Sequence, residues 1–363
     1  MTPLCRRIAE LIEATGPISV ADYMALCLFD PAHGYYTTRE PFGADGDFVT
    51  APEISQMFGE LVAVWLVTAW RSIGAPLPVT VAEAGPGRGT LMRDIIRAAG
   101  RIAPDWKTGA RFALVEASPR LTAIQRRTLD GMGVALSWHE TVDTLPDGPL
   151  LIVGNELLDA LPVRQFVFQD GGWHERAIGL DDEGRLVFVL KVGSFDASLL
   201  PDGQKPSEGA TFEISPARSA FMQRICERLA TRGGAGIFFD YGHLRTGFGD
   251  TFQAVRRHAY EDVLQSPGEA DLTSHVDFAV LENIAHACGL ATATATQGDF
   301  LLGMGLVERA GRLGAGEGPG RREAIRAAVE RLAGPEMMGT LFKVLMLAPR
   351  GTGTLPPAPW VQP

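Results

Sequence analysis

The stretch Val79-Thr-Val-Ala-Glu83-Ala-Gly85-Pro86-Gly87-Arg-Gly89-Thr90 decides the fold class. It opens with β-branched residues, which favour a strand, and continues into three glycines at every second position. Glycine adopts backbone angles that other residues reach only with strain, and it lets the chain approach a ligand closely. A strand, a glycine-rich turn and a helix in this order are typical of the ligand-binding edge of a parallel α/β sheet.

The spacing of these glycines indicates which cofactor the turn holds. The dinucleotide fingerprint requires G-x-G-x-x-G and the phosphate-binding loop requires G-x-x-x-x-G-K-[ST], and neither pattern fits this stretch. No lysine follows the glycines to hold a triphosphate. The spacing therefore favours a cofactor without a pyrophosphate, of which S-adenosyl-L-methionine is the common one. In the alternative interpretation, the glycines form only a tight turn.

A second acidic strand end supports the cofactor interpretation. The next predicted strand, residues 112–116, ends in Glu116. In a doubly wound sheet this position lies beside the crevice at the end of the first strand, where a carboxylate accepts both ribose hydroxyls in charge-assisted hydrogen bonds. Either acid taken alone is equally well an ordinary strand-end residue. The predicted cofactor-binding residues of these two strand ends are Glu83, Gly85, Pro86, Gly87, Gly89 and Glu116.

The chain from residue 76 to 350 alternates between short β-rich runs and amphipathic stretches, which predicts a doubly wound, Rossmann-like α/β sheet. Residues 1–75 instead predict a helical region with helices near 4–15, 20–29 and 55–70. Turn-type linkers within about 163–215 predict an inserted antiparallel β-meander, and the Pro/Gly-rich residues 351–363 predict a flexible tail. The predicted strands of the sheet are 79–84, 112–116, 134–138, 150–153, 236–240 and 341–347.

Composition limits the class of protein. The 363 residues carry a formal net charge of −10, which argues against a nucleic-acid partner and permits attraction to a basic protein segment. No apolar run reaches the roughly 18 residues that span a bilayer, and no signal pattern opens the chain, so we expect a cytoplasmic protein without a membrane partner. The four cysteines are scattered, and no cluster of His, Cys and carboxylates suggests a metal, so we expect reduced thiols and no metal ion.

Longer blocks of the sequence resemble the MidA-like family, which comprises mitochondrial complex I assembly methyltransferases and their bacterial relatives. The matching blocks cover nearly the whole chain and are Tyr23-Met24, Gly34-Tyr35-Tyr36, Gly46 to Glu60, Glu83 to Gly89, Asn155 to Pro162, Asp240 to His243, His275 to Phe278, Thr296 to Phe300 and Phe342 to Val344.

The resemblance implies a seven-stranded, S-adenosyl-L-methionine-dependent methyltransferase core. For the mitochondrial members it implies arginine methylation of a respiratory complex I subunit in the mitochondrial matrix. This chain shows no transit peptide and looks like a bacterial member, so we expect it in the cytoplasm. The substrate does not carry over automatically.

The segment after the fourth predicted strand supplies the candidate catalytic residues. Ligands of such sheets bind beyond the carboxyl ends of the strands, where Asn155 and Glu156 fall. A guanidinium substrate requires a carboxylate, so we predict Glu156 as the substrate-orienting acid, Asn155 as a positioner of the methionine side and Asp159 as a supporting residue. In the alternative interpretation, Asn155 and Glu156 cap and begin a helix.

The loop around Gly46, Asp47 and Phe48 is a candidate lid over the cofactor, although simple packing explains it equally well. Asp240, Tyr241 and His243 are predicted at the same sheet edge. His275 and Asp277 form a possible orienting pair, in which an imidazole held by a carboxylate accepts a proton. Hydrogen bonding alone is the alternative role for both histidines.

Trp65 and Trp70 are expected in the core of the apolar helix, whose face of Leu61, Val62, Trp65 and Leu66 could otherwise serve a homodimer.

Three functions are open on these grounds. The first is methyl transfer to protein arginine, and the second is methyl transfer to a small molecule. The third is an assembly or scaffold protein that binds S-adenosyl-L-methionine without turnover. The glycine spacing disfavours a nucleotide-dependent oxidoreductase.

Overall fold

The computed structural model describes residues 2–39, 50–191, 195–200, 203–352 and 355–357. Gly46, Asp47 and Phe48, predicted to form a lid, lie outside the described residues. The chain divides into two compact units. The boundaries predicted from the sequence, between the segments 1–75, 76–350 and 351–363, remain predictions. The first unit combines Met1–Phe48, Asp159–Ala220 and Arg245–Asp277, and the second combines Val49–Leu158, Phe221–Leu244 and Phe278–Pro363.

The strands and helices are numbered here in chain order over the described residues. The strands are β1 (Ile18–Ser19), β2 (Val79–Ala84), β3 (Ala110–Val115), β4 (Ala135–His139), β5 (Leu150–Asn155), β6 (Arg164–Gln169), β7 (Gly172–Leu180), β8 (Leu186–Lys191), β9 (Thr211–Ile214), β10 (Gly234–His243), β11 (Gln253–Arg256), β12 (Ala259–Glu261), β13 (Asp271–Thr273), β14 (Val276–Asp277), β15 (Leu290–Thr296) and β16 (Phe342–Pro349). The α-helices are α1 (Pro3–Thr15), α2 (Val20–Phe29), α3 (Tyr35–Thr38), α4 (Ala51–Ile54), α5 (Gln56–Ser72), α6 (Thr90–Ile102), α7 (Trp106–Gly109), α8 (Pro119–Thr128), α9 (Pro216–Arg232), α10 (Phe278–Ala287), α11 (Gln297–Gly303), α12 (Leu306–Gly314), α13 (Pro319–Ala333) and α14 (Met338–Leu341).

The second unit contains the predicted α/β sheet. Seven of its strands lie in the order β15-β16-β10-β5-β2-β3-β4. The five strands from β10 to β4 run parallel, whereas β16 is antiparallel to both β10 and β15. The doubly wound α/β fold is therefore confirmed. The carboxyl ends of β2, β3 and β5 lie along one edge of this sheet, which is where the predicted site residues fall.

The core of the second unit forms around α5 and the sheet. Trp65 is completely buried and Trp70 is buried as well, its ring centroid 5.7 Å from that of Trp106. Leu61, Val62 and Leu66 are also buried in this core. The prediction of core tryptophans is thus confirmed, and the idea that this helix face forms a dimer surface is wrong because its side chains are inside the unit.

The first unit contains the predicted β-meander. Strands β6 and β7, and then β7 and β8, pair antiparallel, and the same sheet contains β9, which pairs with β6, and β1, which pairs with β7. Asp170 and Gly171 join β6 to β7 with φ angles of +52° and +75°, the left-handed values that a two-residue hairpin turn requires. A further three-stranded sheet has the order β12-β11-β13. The inserted meander is confirmed.

None of the helices in the described parts of the chain combines the length and the apolar character needed to cross a membrane.

Candidate functional site

The glycine-rich turn connects β2 to α6. Gly85, Gly87 and Gly89 have φ angles of +65°, +50° and +82°, which lie in the left-handed region that favours glycine. The Gly85 amide donates to the Val115 carbonyl over 3.1 Å, so the turn is fixed to the end of β3. A Cβ atom on Gly85 would lie 2.8 Å from Cδ1 of Leu157. The turn therefore needs glycine for its backbone angles and, at Gly85, for lack of space.

Glu116 follows β3, beside the glycine turn. Its Oε1 accepts a hydrogen bond from the Ser118 amide over 2.8 Å, and its Oε2 accepts one from Nε2 of Gln125 over 3.0 Å. Burial raises the pKa of Glu116, and the hydrogen bonds from Ser118 and Gln125 oppose that shift. The carboxylate is thus held in one orientation at the strand end, as a ribose acceptor would need to be.

Glu83 lies inside the same edge of the sheet and is only 3% exposed. Its Oε2 is buried and has no hydrogen-bond partner among the described residues. Burial raises the pKa of Glu83 well above its ordinary value, the nearby charges of Glu116 and Asp94 add to the shift, and a hydrogen bond from the Met92 backbone opposes it. A buried acid without a full set of partners is unfavourable unless a ligand supplies them.

Asn155 ends β5, next to β2 in the sheet. Its Nδ2 donates to Oε1 of Glu156 over 3.0 Å, while its buried Oδ1 has no partner within the described stretches. The orphan oxygens of Glu83 and Asn155 belong to two adjacent strand ends. Both fit the ammonium group of S-adenosyl-L-methionine, which has three N–H donors and a positive charge that would lower the pKa of Glu83 again.

Glu156 has a strained backbone. Its φ is +52°, which is uncommon for a residue with a side chain and tends to occur at functional sites. Its amide donates to the Phe239 carbonyl over 2.9 Å, and its Oε1 also accepts from the Ala51 amide over 3.3 Å. Residues 156–163, all described, contain no helix. The alternative in which Asn155 and Glu156 cap a helix is therefore wrong.

Asp240 positions this loop. It is completely buried in β10, and its Oδ2 accepts from the Leu158 amide over 2.8 Å while its Oδ1 accepts from the Tyr241 amide over 2.9 Å. Two long-range contacts from β10, the Phe239 carbonyl and the Asp240 carboxylate, thus hold the backbone of residues 156–158.

Three further residues were predicted from the sequence to support or carry out catalysis, namely Asp159, His243 and His275. Asp159 belongs to the first unit, where its carbonyl accepts from the Ser274 amide and from Nη2 of Arg218. His275 belongs to the same unit, and its amide donates to Oγ1 of Thr251 over 2.9 Å. Catalysis by His275 or by His243 of the second unit stays a prediction.

Sequence reasoning missed two contacts of the glycine turn. Gln125 of α8 donates to the Gly87 carbonyl over 2.9 Å. Thr90, the first residue of α6, donates from Oγ1 to Oε1 of Glu53 over 2.5 Å. Neither could be found from the pattern, because a polar residue on an amphipathic helix is ordinarily solvent-facing and both contacts cross between distant segments.

The sheet order, the glycine turn and the acidic strand ends are typical of the α/β proteins that bind a nucleoside-type cofactor at the carboxyl ends of their strands. A family model described as "Putative S-adenosyl-L-methionine-dependent methyltransferase" matches residues 61–296. The chain belongs to this family, so S-adenosyl-L-methionine is its cofactor and methyl transfer its class of reaction. The predicted cofactor is thus confirmed.

Named relatives cover nearly the whole chain. "Protein arginine methyltransferase NDUFAF7, mitochondrial" from Danio rerio is 35% identical over 94% of this chain and 85% of its own length. The protein of that name from Homo sapiens is 33% identical over 96% of this chain and 84% of its own length. These relatives confirm the family resemblance identified from the sequence.

A solved structure is similar over the same extent. It is described as a "likely methyl transferase from Burkholderia thailandensis bound to S-adenosyl-homocysteine" and is 29% identical, with a TM-score of 0.85 over 98% of this chain and 93% of that one.

If Glu116 accepts the ribose hydroxyls, Glu116→Ala removes their charged acceptor. We expect a loss of about 2–3 kcal/mol in binding of S-adenosylhomocysteine, the range for hydrogen bonds to a charged group. Isothermal titration calorimetry on wild type and variant measures it. An affinity equal to wild type in the folded variant would mean that another residue holds the sugar.

Proposed function

We propose that this protein is an arginine N-methyltransferase acting on a protein substrate, with Glu156 as the group that orients the guanidinium. Two lines of support meet here. Relatives that match nearly the whole chain are named protein arginine methyltransferases. The observation in the structure that carries the proposal is the half-buried Glu156 carboxylate, held on a strained backbone at the carboxyl end of β5.

The cofactor roles are part of the proposal. Bound S-adenosyl-L-methionine supplies an electrophilic methyl group. In our assignment Glu83 and Asn155 hold its ammonium, and Glu116 holds its ribose. Gly85, Pro86, Gly87 and Gly89 form the turn that passes closely along it. Gly46, Asp47 and Phe48 are proposed to cover it.

Glu156 acts on the acceptor. A carboxylate matches the fork of guanidinium N–H groups, and its charge attracts the cation. By holding two of these donors, Glu156 would fix the third nitrogen in line with the methyl carbon and the departing sulfur. With the cofactor bound, the acceptor nitrogen would gain the methyl group that the sulfur loses and would release one proton to solvent, which leaves a singly charged methylguanidinium and S-adenosylhomocysteine. Asp159 is proposed as a supporting residue.

The partner is proposed to be a basic segment of another protein, in keeping with the net charge of −10. The family resemblance makes a respiratory complex I subunit the first candidate. The relatives named above are labelled mitochondrial. We propose that this chain is located in the cytoplasm.

Methyl transfer from radiolabelled S-adenosyl-L-methionine to a lysate that lacks the endogenous enzyme tests the function. We expect label in protein and, after hydrolysis, methylarginine by mass spectrometry. Label confined to small molecules would support the small-molecule alternative instead. Tight S-adenosylhomocysteine binding with no labelled product would support the scaffold alternative.

A further inference from the structure

Gln125 of α8 joins three strand ends of the second unit. The side chain is completely buried. Its Nε2 donates to the Gly87 carbonyl over 2.9 Å and to Oε2 of Glu116 over 3.0 Å, while its Oε1 accepts from the indole Nε1 of Trp138 over 3.0 Å. One amide thus connects the turn after β2, the acid after β3 and the indole on β4.

The partners fix the direction of this amide. An indole N–H only donates, so it must face the Gln125 oxygen, and a carbonyl and a carboxylate only accept, so they must face the nitrogen. Both hydrogens of the NH2 group and the amide oxygen are then used. A buried amide whose two donors and oxygen are all engaged has one stable orientation, and removal of the Gln125 amide leaves all three partners unpaired.

Other contacts already hold the elements that Gln125 touches. Ser118 caps α8, because its Oγ accepts from the Leu121 amide. Arg126 lies over the Trp138 ring at 4.0 Å and packs the indole independently. The Gly85 amide also fixes the turn to β3 through the Val115 carbonyl. None of these contacts is made by the Gly87 carbonyl or by Oε2 of Glu116, whereas the Gln125 amide bridges those two groups directly.

We propose that Gln125 is a positioning residue for cofactor binding, which fixes the separation between the glycine turn and the Glu116 carboxylate. The inference rests on the proposed assignment of these two groups to the cofactor. Gln125 acts through them and has no contact with the cofactor in this assignment. Its loss should lower cofactor affinity beyond what a general loss of stability causes.

Gln125→Met keeps the length of the side chain and removes all three hydrogen bonds. We expect its affinity for S-adenosylhomocysteine to fall by about 10- to 100-fold, since one of the bonds lost is to a charged group. The matched control is Gln297→Met. Gln297 is also completely buried and donates to a backbone carbonyl, that of Leu332, over 2.8 Å. We expect the control to lower the melting temperature and to leave the affinity within about threefold of wild type.

Gln125→Glu should make cofactor affinity depend on pH in a way that a merely structural role of Gln125 would not. The new carboxylate would face the Gly87 carbonyl and Glu116. The other charged groups near Glu116 are Glu83 and Arg120. The titratable group on β4 is His139, and burial lowers its pKa. Mutual repulsion and burial raise the pKa of such a carboxyl pair, so one shared proton restores a donor at low pH. The ratio of this variant's affinity to the wild-type affinity should rise at least about tenfold from about pH 8.5 to about pH 6, and taking the ratio removes the pH dependence that Glu83 gives to both proteins.

The outcomes separate this inference from the proposed function. Wild-type affinity in folded Gln125→Met, or an equal loss in Gln297→Met, overturns the positioning role. If Gln125→Met does not fold, a ratio of Gln125→Glu affinity to wild-type affinity that does not change with pH overturns it instead. Unchanged affinity in Glu116→Ala contradicts the ribose assignment itself, whereas a loss there with none in Gln125→Met contradicts this inference alone.

Discussion

Gly85→Val is expected to lower the affinity for S-adenosylhomocysteine by about 100-fold or more, which corresponds to about 2.8 kcal/mol of binding free energy. A β-branched residue at φ +65° is strained, and its Cβ would lie 2.8 Å from Cδ1 of Leu157. The turn must then move away from the neighbouring loop that carries Glu156. Calorimetry on the folded variant measures the loss.

Gly133→Val is the matched control for backbone strain. Gly133 has φ +67°, close to that of Gly85, but a Cβ atom there would meet no described atom within 4 Å. Both variants carry a similar conformational cost, of the order of 1–3 kcal/mol in stability. Only Gly85→Val should lose cofactor binding. Equal affinity in the two variants would show that the turn does not lie against the cofactor.

The fold was predictable where local signals agree with the final structure. The helix over Val20–Phe29 and the strand over Val79–Ala84 have the bounds that the sequence predicts, because Pro31 and the glycine turn stop them. The strand Leu290–Thr296 was missed. Its Leu-Ala-Thr-Ala-Thr-Ala-Thr sequence has few large apolar residues, and it becomes a strand by pairing along its whole length with the apolar β16.

The candidate site was predictable as a set of strand ends, but its conformation was not. Glu156 was placed at the end of a parallel strand by topology alone. Its left-handed backbone depends on the Phe239 carbonyl and the Asp240 carboxylate, and the Leu158 contact to Asp240 joins residues 82 positions apart. Local patterns suggested a helix cap here because they carry no information about such distant partners.

Glu156→Gln is expected to leave S-adenosylhomocysteine affinity near wild type and to lower methyl transfer by about 100-fold or more, the range for loss of one positioned charged group. The amide oxygen of the variant can still accept from the Ala51 amide and from Nδ2 of Asn155. The backbone strain at φ +52° is the same for Gln as for Glu. The substitution therefore removes the charge that an incoming guanidinium requires and keeps these two contacts of the loop.

Glu282→Gln makes the matching change at another half-buried glutamate of the second unit, whose Oε1 accepts from Oγ1 of Thr292 over 2.6 Å. It should retain both cofactor binding and transfer. Transfer of the radiolabelled methyl group is measured in the lysate that lacks the endogenous enzyme. Cofactor affinity is measured by calorimetry on the same protein samples. If wild type is active and Glu156→Gln is equally active, Glu156 only stabilises its loop through the Asn155 and Ala51 contacts, and the substrate-orienting acid must be sought at Asp47, Asp240 or Asp277. A parallel loss of cofactor affinity in Glu156→Gln would instead place the carboxylate on the cofactor side of the site.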